Sequence, residues 1–158
     1  MSKPKPLTDV HATLGALLRR PYESMSDWLY GEMAAAGYPE VRPAYSVVLR
    51  NLPADGANVT ALAARAGMTK QSMGYLVERM TEAKLVAVVS DEADRRAKTV
   101  RLTARGTKVV SKGVELSRRY EAHLAHLVGA RKATQLRELL VELGERLEDE
   151  PLPADGVR

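Results

Sequence analysis

Residues 59–106 read VTALAARAGMTKQSMGYLVERMTEAKLVAVVSDEADRRAKTVRLTARG. The apolar spacing in this stretch predicts two helices joined by a tight turn, followed by a strand, a charged loop and another strand. The first helix is expected over Thr60 to Ala66, with Leu62, Ala63 and Ala66 on one face and the Thr60 hydroxyl capping its start. Gly67 follows, where a glycine can take the left-handed conformation that ends a helix. Thr69 is the expected cap of the next helix, which runs from Lys70 to about Ala83. Met73, Leu76, Val77 and Met80 recur there at helical spacing and form a stripe to bury, leaving Lys70, Gln71, Gly74, Tyr75 and Glu78 opposite. The strand signal begins at Leu85, in a run too short and too β-branched for a helix. From Thr99 to Thr103 residues alternate, with Val100 and Leu102 on one face. The loop between carries Arg95, Arg96 and Lys98 beside Asp91, Glu92 and Asp94; a carboxylate can hold a neighbouring arginine in one rotamer.

The expected fold class is mainly α: a winged helix-turn-helix with a small antiparallel β-hairpin wing, flanked by N- and C-terminal helices. At this point a family comes into view. The run DEADRRAKTVRLTARG (residues 91–106) resembles the wing signature of the MarR family of winged helix-turn-helix repressors, and MTKQSMGYLVERM (68–80) is similar to that family's recognition helix. The wing match includes both the DRR core and the LT..G that follows. The flanking helices match only in pattern. The resemblance implies a homodimer on double-stranded DNA. Thr69, Lys70, Gln71, Ser72 and Tyr75 would then face the major groove, Gln71 or Ser72 at bases and Lys70 or Tyr75 nearer phosphate. Asp94, Arg95, Arg96 and Lys98 would form the wing contact. The family's DxR pattern falls on Asp94 and Arg96, so Arg96 would enter the minor groove, with Asp94 orienting it or Arg95.

Charge distribution agrees with a polyanionic partner. The formal net charge is +4, and from Arg65 to Lys112 eleven Lys or Arg stand against five Asp or Glu. From Glu138 to Asp155 the balance reverses to seven acids and one base. Basic proteins are common, so charge alone decides little. Cysteine is absent, which excludes disulfides, a CxxC metal site and a thiol switch. No stretch has the length and apolarity of a membrane span, and Ser2–Pro6 lacks the apolar core of a signal peptide; a cytoplasmic protein is the expectation.

Outside the reading head, a helix is expected from Thr8 to Ala36, carrying Leu14, Leu17, Leu18, Met25, Trp28, Leu29 and Met33, with a kink or break near Arg20 because Pro21 interrupts it. Another is expected from Arg42 to Leu52, with Pro43 in its first turn. Past Gly106 a long helix should run to Val128, with Val109, Val110, Val114, Tyr120, Leu124, Leu127 and Val128 in phase. Gly129 should break it, and a last helix should run from Arg131 to Glu148. The resulting division is an N-terminal dimerisation helix (1–41), the winged helix-turn-helix region (42–106), C-terminal dimerisation helices (107–150) and a frayed tail (151–158). The apolar stripes Leu14, Leu17, Leu18 and Leu136, Leu140, Leu143, Leu147 could cover the chain's own core or a dimer interface; the resemblance favours the dimer.

Five of the seven aromatic residues lie before Leu49, and Tyr22, Trp28, Tyr38 and Tyr45 are candidates for a ligand pocket. The resemblance implies a small aromatic or phenolic effector there; the ordinary alternative is that Trp28 and Tyr45 fill the core. No cofactor is implied. His123 and His126 lack a third ligand, Glu78 and Glu82 read as surface charges, and Ser46 and Ser72 have no base nearby in sequence. Phosphate-loop, GxSxG and HExxH motifs are missing, which argues against an enzyme. Two functions of different class remain: a sequence-specific, ligand-responsive transcriptional regulator, expected as a repressor on a palindromic operator, and an architectural DNA binder or winged-helix interaction module that does not read sequence.

Overall fold

Thr13 starts the first helix, α1 (Leu14–Ala35): its hydroxyl accepts a bond from the Ala16 N–H at 3.3 Å. The computed structural model describes residues 13–90 and 98–150. Of the kink or break expected near Arg20, the break does not occur: α1 runs through Pro21. Pro21 forfeits the bond to the Leu17 carbonyl, but both residues lie on the exposed side, where water can serve that oxygen. Helix α1 ends as Gly37 turns left-handed, at φ +92°. Its second half meets the core through Met33, with Trp28, Leu29 and Tyr30 packed alongside.

The next helix, α2, spans Tyr45–Asn51. It starts three residues later than expected, because Pro43 and Ala44 form a turn instead, with Tyr45 N–H on the Arg42 carbonyl and Ser46 N–H on that of Pro43. Helix α3 spans Val59–Arg65 and is capped by Asn58, not Thr60: the Asn58 carboxamide oxygen accepts from Ala61 N–H at 2.8 Å. Asparagine is among the strongest cap residues, so the shorter reach from position 58 prevails. Gly67 (φ +62°) makes the turn as expected, and α4 follows over Lys70–Glu82 with Thr69 as its cap.

The wing is an antiparallel pair, β1 (Val86–Ser90) and β2 (Lys98–Leu102), in the register Val86 to Leu102, Val88 to Val100 and Ser90 to Lys98. A third backbone segment joins it: Ala57 and Val100 exchange bonds of 2.8 and 3.2 Å. The face expected to hold both Val100 and Leu102 is buried only at Val100, while Leu102 remains 38% exposed.

Helix α5 (Ala104–Val128) starts before Gly106, not after it. Thr103 is the reason: its hydroxyl accepts from Gly106 N–H at 3.0 Å and donates to the Lys84 carbonyl at 2.6 Å. Gly106 is therefore inside α5 and is buried. Leu116, absent from the expected stripe, is one of the fully buried side chains. Past Gly129 (φ +89°) comes α6, Ala130–Asp149.

The core joins Met33, Val48, Leu62, Met73, Met80, Leu85, Val86, Val100, Val109 and Leu116 with their neighbours. Each large apolar side chain buried there contributes roughly 1.5–3 kcal/mol. The residues fall into two compact units, one up to Leu116 and one from Ser117 on, so α1 and the start of α5 share a unit with the helix-turn-helix and wing. Among the described residues no helix is long and apolar enough to cross a membrane.

Candidate nucleic-acid interface

Helix α4 is anchored by four buried residues, Met73, Leu76, Val77 and Met80. With that face fixed, helical geometry leaves Lys70, Gln71, Ser72, Tyr75 and Glu78 outward, and all five are exposed. Tyr75 is 61% exposed, a large aromatic ring that the core does not use. The Thr69 hydroxyl accepts the Ser72 N–H at 3.1 Å and donates to Ser72 Oγ at 2.9 Å. Its proton is thus committed, whereas the Ser72 hydroxyl keeps its own proton for a partner outside the helix. The first turn carries no acidic residue, so Lys70 adds to the positive end of the helix dipole. Together Lys70, Gln71, Ser72 and Tyr75 offer one ammonium, one carboxamide and two hydroxyls on the outward side of α4, a set suited to phosphates and base edges, with the Glu78 carboxylate one turn further on.

Of the wing residues expected at the site, Lys98 is exposed at the first position of β2. Asp94, Arg95 and Arg96 lie outside the described residues. Arg101, not among the expected wing residues, is also exposed on β2, three residues beyond Lys98 and alternating with buried Val100.

The four candidate pocket aromatics differ in their surroundings. Tyr45 is core, Trp28 and Tyr38 pack against the core, and Tyr22 is 59% exposed. A groove of about 550 Å³ lies between α2 and α4, walled by Val47, Met68, Ser72 and Tyr75 among others and by none of the four. The Tyr30 hydroxyl is hydrogen-bonded to Ser46 on the rim of that groove; burial first and Tyr22 second push its pKa up, against the opposing effects of Ser46 and Arg50. His123 and His126 are exposed on α5, and the described residues include no group of three metal-ligating side chains.

The apolar stripes expected at a dimer interface are open to solvent in the single chain. Leu14, Leu17 and Leu18 are 45–68% exposed on α1. Helix α6 buries no residue at all, and Leu136, Leu139, Leu140, Leu143 and Leu147 are each at least 44% exposed.

Residues 41–97 match a family model described as the MarR family. Among solved structures the chain is similar to the transcriptional repressor CouR bound to a 23-mer DNA duplex, at 23% identity over 90% of this chain and 99% of that one, with a TM-score of 0.64. It is also similar to MarR, at 19% identity over 87% and 98% of the two chains and a TM-score of 0.71. A mutant of S. aureus MepR bound to an oligodeoxyribonucleotide matches at 18% identity over 85% and 98%, with a TM-score of 0.53. At these identities the likeness establishes the fold. No curated protein matches the chain by sequence.

Proposed function

We propose that the chain, which matches the MarR family model over residues 41–97, is a winged helix-turn-helix regulator of that kind: a sequence-specific transcriptional repressor acting as a homodimer on a palindromic operator. The observation that carries this reading is the division of α4: four anchors fully committed to the core, and Lys70, Gln71, Ser72 and Tyr75 held outward on a rigid helix. Residues so placed can enter a major groove without rearrangement. One such helix covers only a few base pairs, and a two-fold pair reads half-sites about 34 Å apart. The exposed leucines of α1 and α6 support the second copy that this requires.

In this mechanism Gln71 and Ser72 address base edges, Lys70 and Tyr75 sit nearer phosphate, and Arg96 takes the minor groove with Asp94 orienting it or Arg95. Gln71→Ala is expected to cost roughly 1–3 kcal/mol of operator affinity and to relax preference at one base position. Gel shifts with operator variants read both effects, and affinity unchanged across every variant would remove Gln71 from base recognition. An architectural binder would hold any duplex equally well, and an interaction module would show no salt-dependent binding.

The finer reading adds a small aromatic effector, supported by the family and by half-buried Trp28 beside the core. Such a ligand would act by population shift: a tenfold loss of DNA affinity needs about 1.4 kcal/mol of coupling. Phenols and aromatic acids that leave both Trp28 fluorescence and the gel shift unchanged would remove this element.

A further inference from the structure

Arg105, the second residue of α5, reaches back to the loop between α1 and α2. Its Nε donates to Glu40 Oε1 at 2.9 Å, and Nη2 donates to the same oxygen. Nη2 also lies 3.4 Å from the Gly37 carbonyl oxygen, at the C-terminal end of α1. The guanidinium carbon stands 5.2 Å from the centroid of the Tyr38 ring, within cation–π range. One side chain thus grips three residues of a loop 65 to 68 positions away.

This pair differs from three other ion pairs among the described residues of its unit. Arg19–Glu23, Arg79–Glu82 and Lys112–Glu115 each join residues three or four apart on one helix, where such pairs contribute little. Arg105–Glu40 ties separate elements, and each end is already ordered. The loop is set by bonds from Tyr38 N–H to the Met33 carbonyl, Val41 N–H to that of Tyr38, and Arg42 Nη1 to that of Pro39. The first turn of α5 is set by Thr103, whose N–H donates to the Leu85 carbonyl at 3.1 Å and whose hydroxyl holds Gly106 N–H. Thr103 directly follows β2, so a restraint on Arg105 acts on the base of the wing. Burial disfavours the Glu40 carboxylate, but its own backbone N–H, the Arg105 guanidinium and the Arg42 charge outweigh that, leaving its pKa below the ordinary value.

We propose that Arg105 is a positioning residue for DNA binding: through Glu40, the Tyr38 ring and the Gly37 carbonyl it braces the base of the wing against the α1–α2 loop, without itself meeting phosphate. The inference rests on the DNA-binding function proposed above. Its rival is that Arg105 is one more phosphate contact beside the wing, with Glu40 a passive neighbour. The two differ in sign at Glu40. If Arg105 served phosphate, neutralising Glu40 would free the guanidinium and tighten binding. If Arg105 is a brace, the same change loosens the wing and weakens binding.

The experiment measures affinity for the DNA upstream of the chain's own gene across a salt series, for wild type, Arg105→Ala, Arg105→Lys, Glu40→Gln and the double charge reversal Glu40→Arg with Arg105→Glu. Hydrogen exchange at the Val100 amide, which bonds to Ala57, is read in parallel without DNA. The brace predicts a loss of roughly fivefold for Arg105→Ala and for Glu40→Gln, and a smaller one for Arg105→Lys. It further predicts a salt slope like wild type, partial recovery in the double reversal, and faster exchange at Val100 in Arg105→Ala. A slope lower by about one in Arg105→Ala, with tighter binding by Glu40→Gln, would make Arg105 a phosphate contact and overturn the proposal. Wild-type affinity and wild-type exchange in both single variants would overturn it as well. Should the wild type itself bind no DNA, the proposed function fails, and exchange at Val100 still decides the brace.

Discussion

Gly106→Ala is expected to destabilise the winged unit by about 3 kcal/mol or more. A Cβ at this position would stand 2.0 Å from the Leu85 carbonyl oxygen and 3.0 Å from Leu102 Cδ2. The oxygen cannot simply withdraw, because it accepts from the Thr103 N–H at 3.1 Å. Moving it aside breaks the knot that sets β1, β2 and α5 together. Urea denaturation measures the loss. Gly113→Ala, on the same helix with nothing within 4 Å of its Cβ position, is the control and should gain roughly 0.5–1 kcal/mol from helix propensity. If Gly106→Ala unfolds at the same urea concentration as wild type, the close approach of α5 to Leu85 is not what holds the wing.

Leu140→Asp is expected to abolish the dimer and, with it, tight operator binding. Helix α6 buries none of its residues, yet it carries five leucines on one side. A lone helix of this length is marginal in water, so something must cover that side for α6 to persist. In a two-fold interface each substitution occurs twice, and two uncompensated carboxylates cost on the order of 4 kcal/mol, about a thousandfold in the dimer constant. Sedimentation should show wild-type dimer and Leu140→Asp monomer at micromolar concentration. Glu138→Ala, roughly 200° around the helix from Leu140, should leave the dimer intact. A stable wild-type monomer at that concentration would contradict the assignment of these leucines to an interface.

The parts of the fold readable in the sequence are those governed by local spacing. Thr69, Gly67 and the stripe Met73, Leu76, Val77, Met80 each carry their signal within one or two turns, and α4 is where they put it. The wing strands were legible from β-branched residues and alternation. Asn58 was missed as a cap because the polar Thr60 lay closer to the apolar run, although asparagine at 58 satisfies the same rule. Gly106 was placed ahead of α5 rather than inside it because its role is tertiary: it stands against the Leu85 carbonyl, twenty-one residues earlier, where a Cβ would lie 2.0 Å from the oxygen. The grip of Arg105 on Glu40 spans a longer separation still and leaves no local pattern. At Pro21 the break that a strong local rule allows does not occur, because the residue lies on an exposed helix face where water can serve the freed carbonyl. For the site, the outward ridge of α4 followed from its buried stripe. Aromatic composition alone did not separate a ring that fills the core, as Tyr45 does, from one that could line a cavity.

The most direct test of sequence reading by α4 is selection of the purified protein's preferred sites from a pool of random duplexes at physiological salt. The account predicts enrichment of a palindrome with half-site centres about one helical turn apart, bound at least 10³-fold more tightly than random duplex. Recovery of the starting pool without enrichment, at whatever affinity, would contradict it.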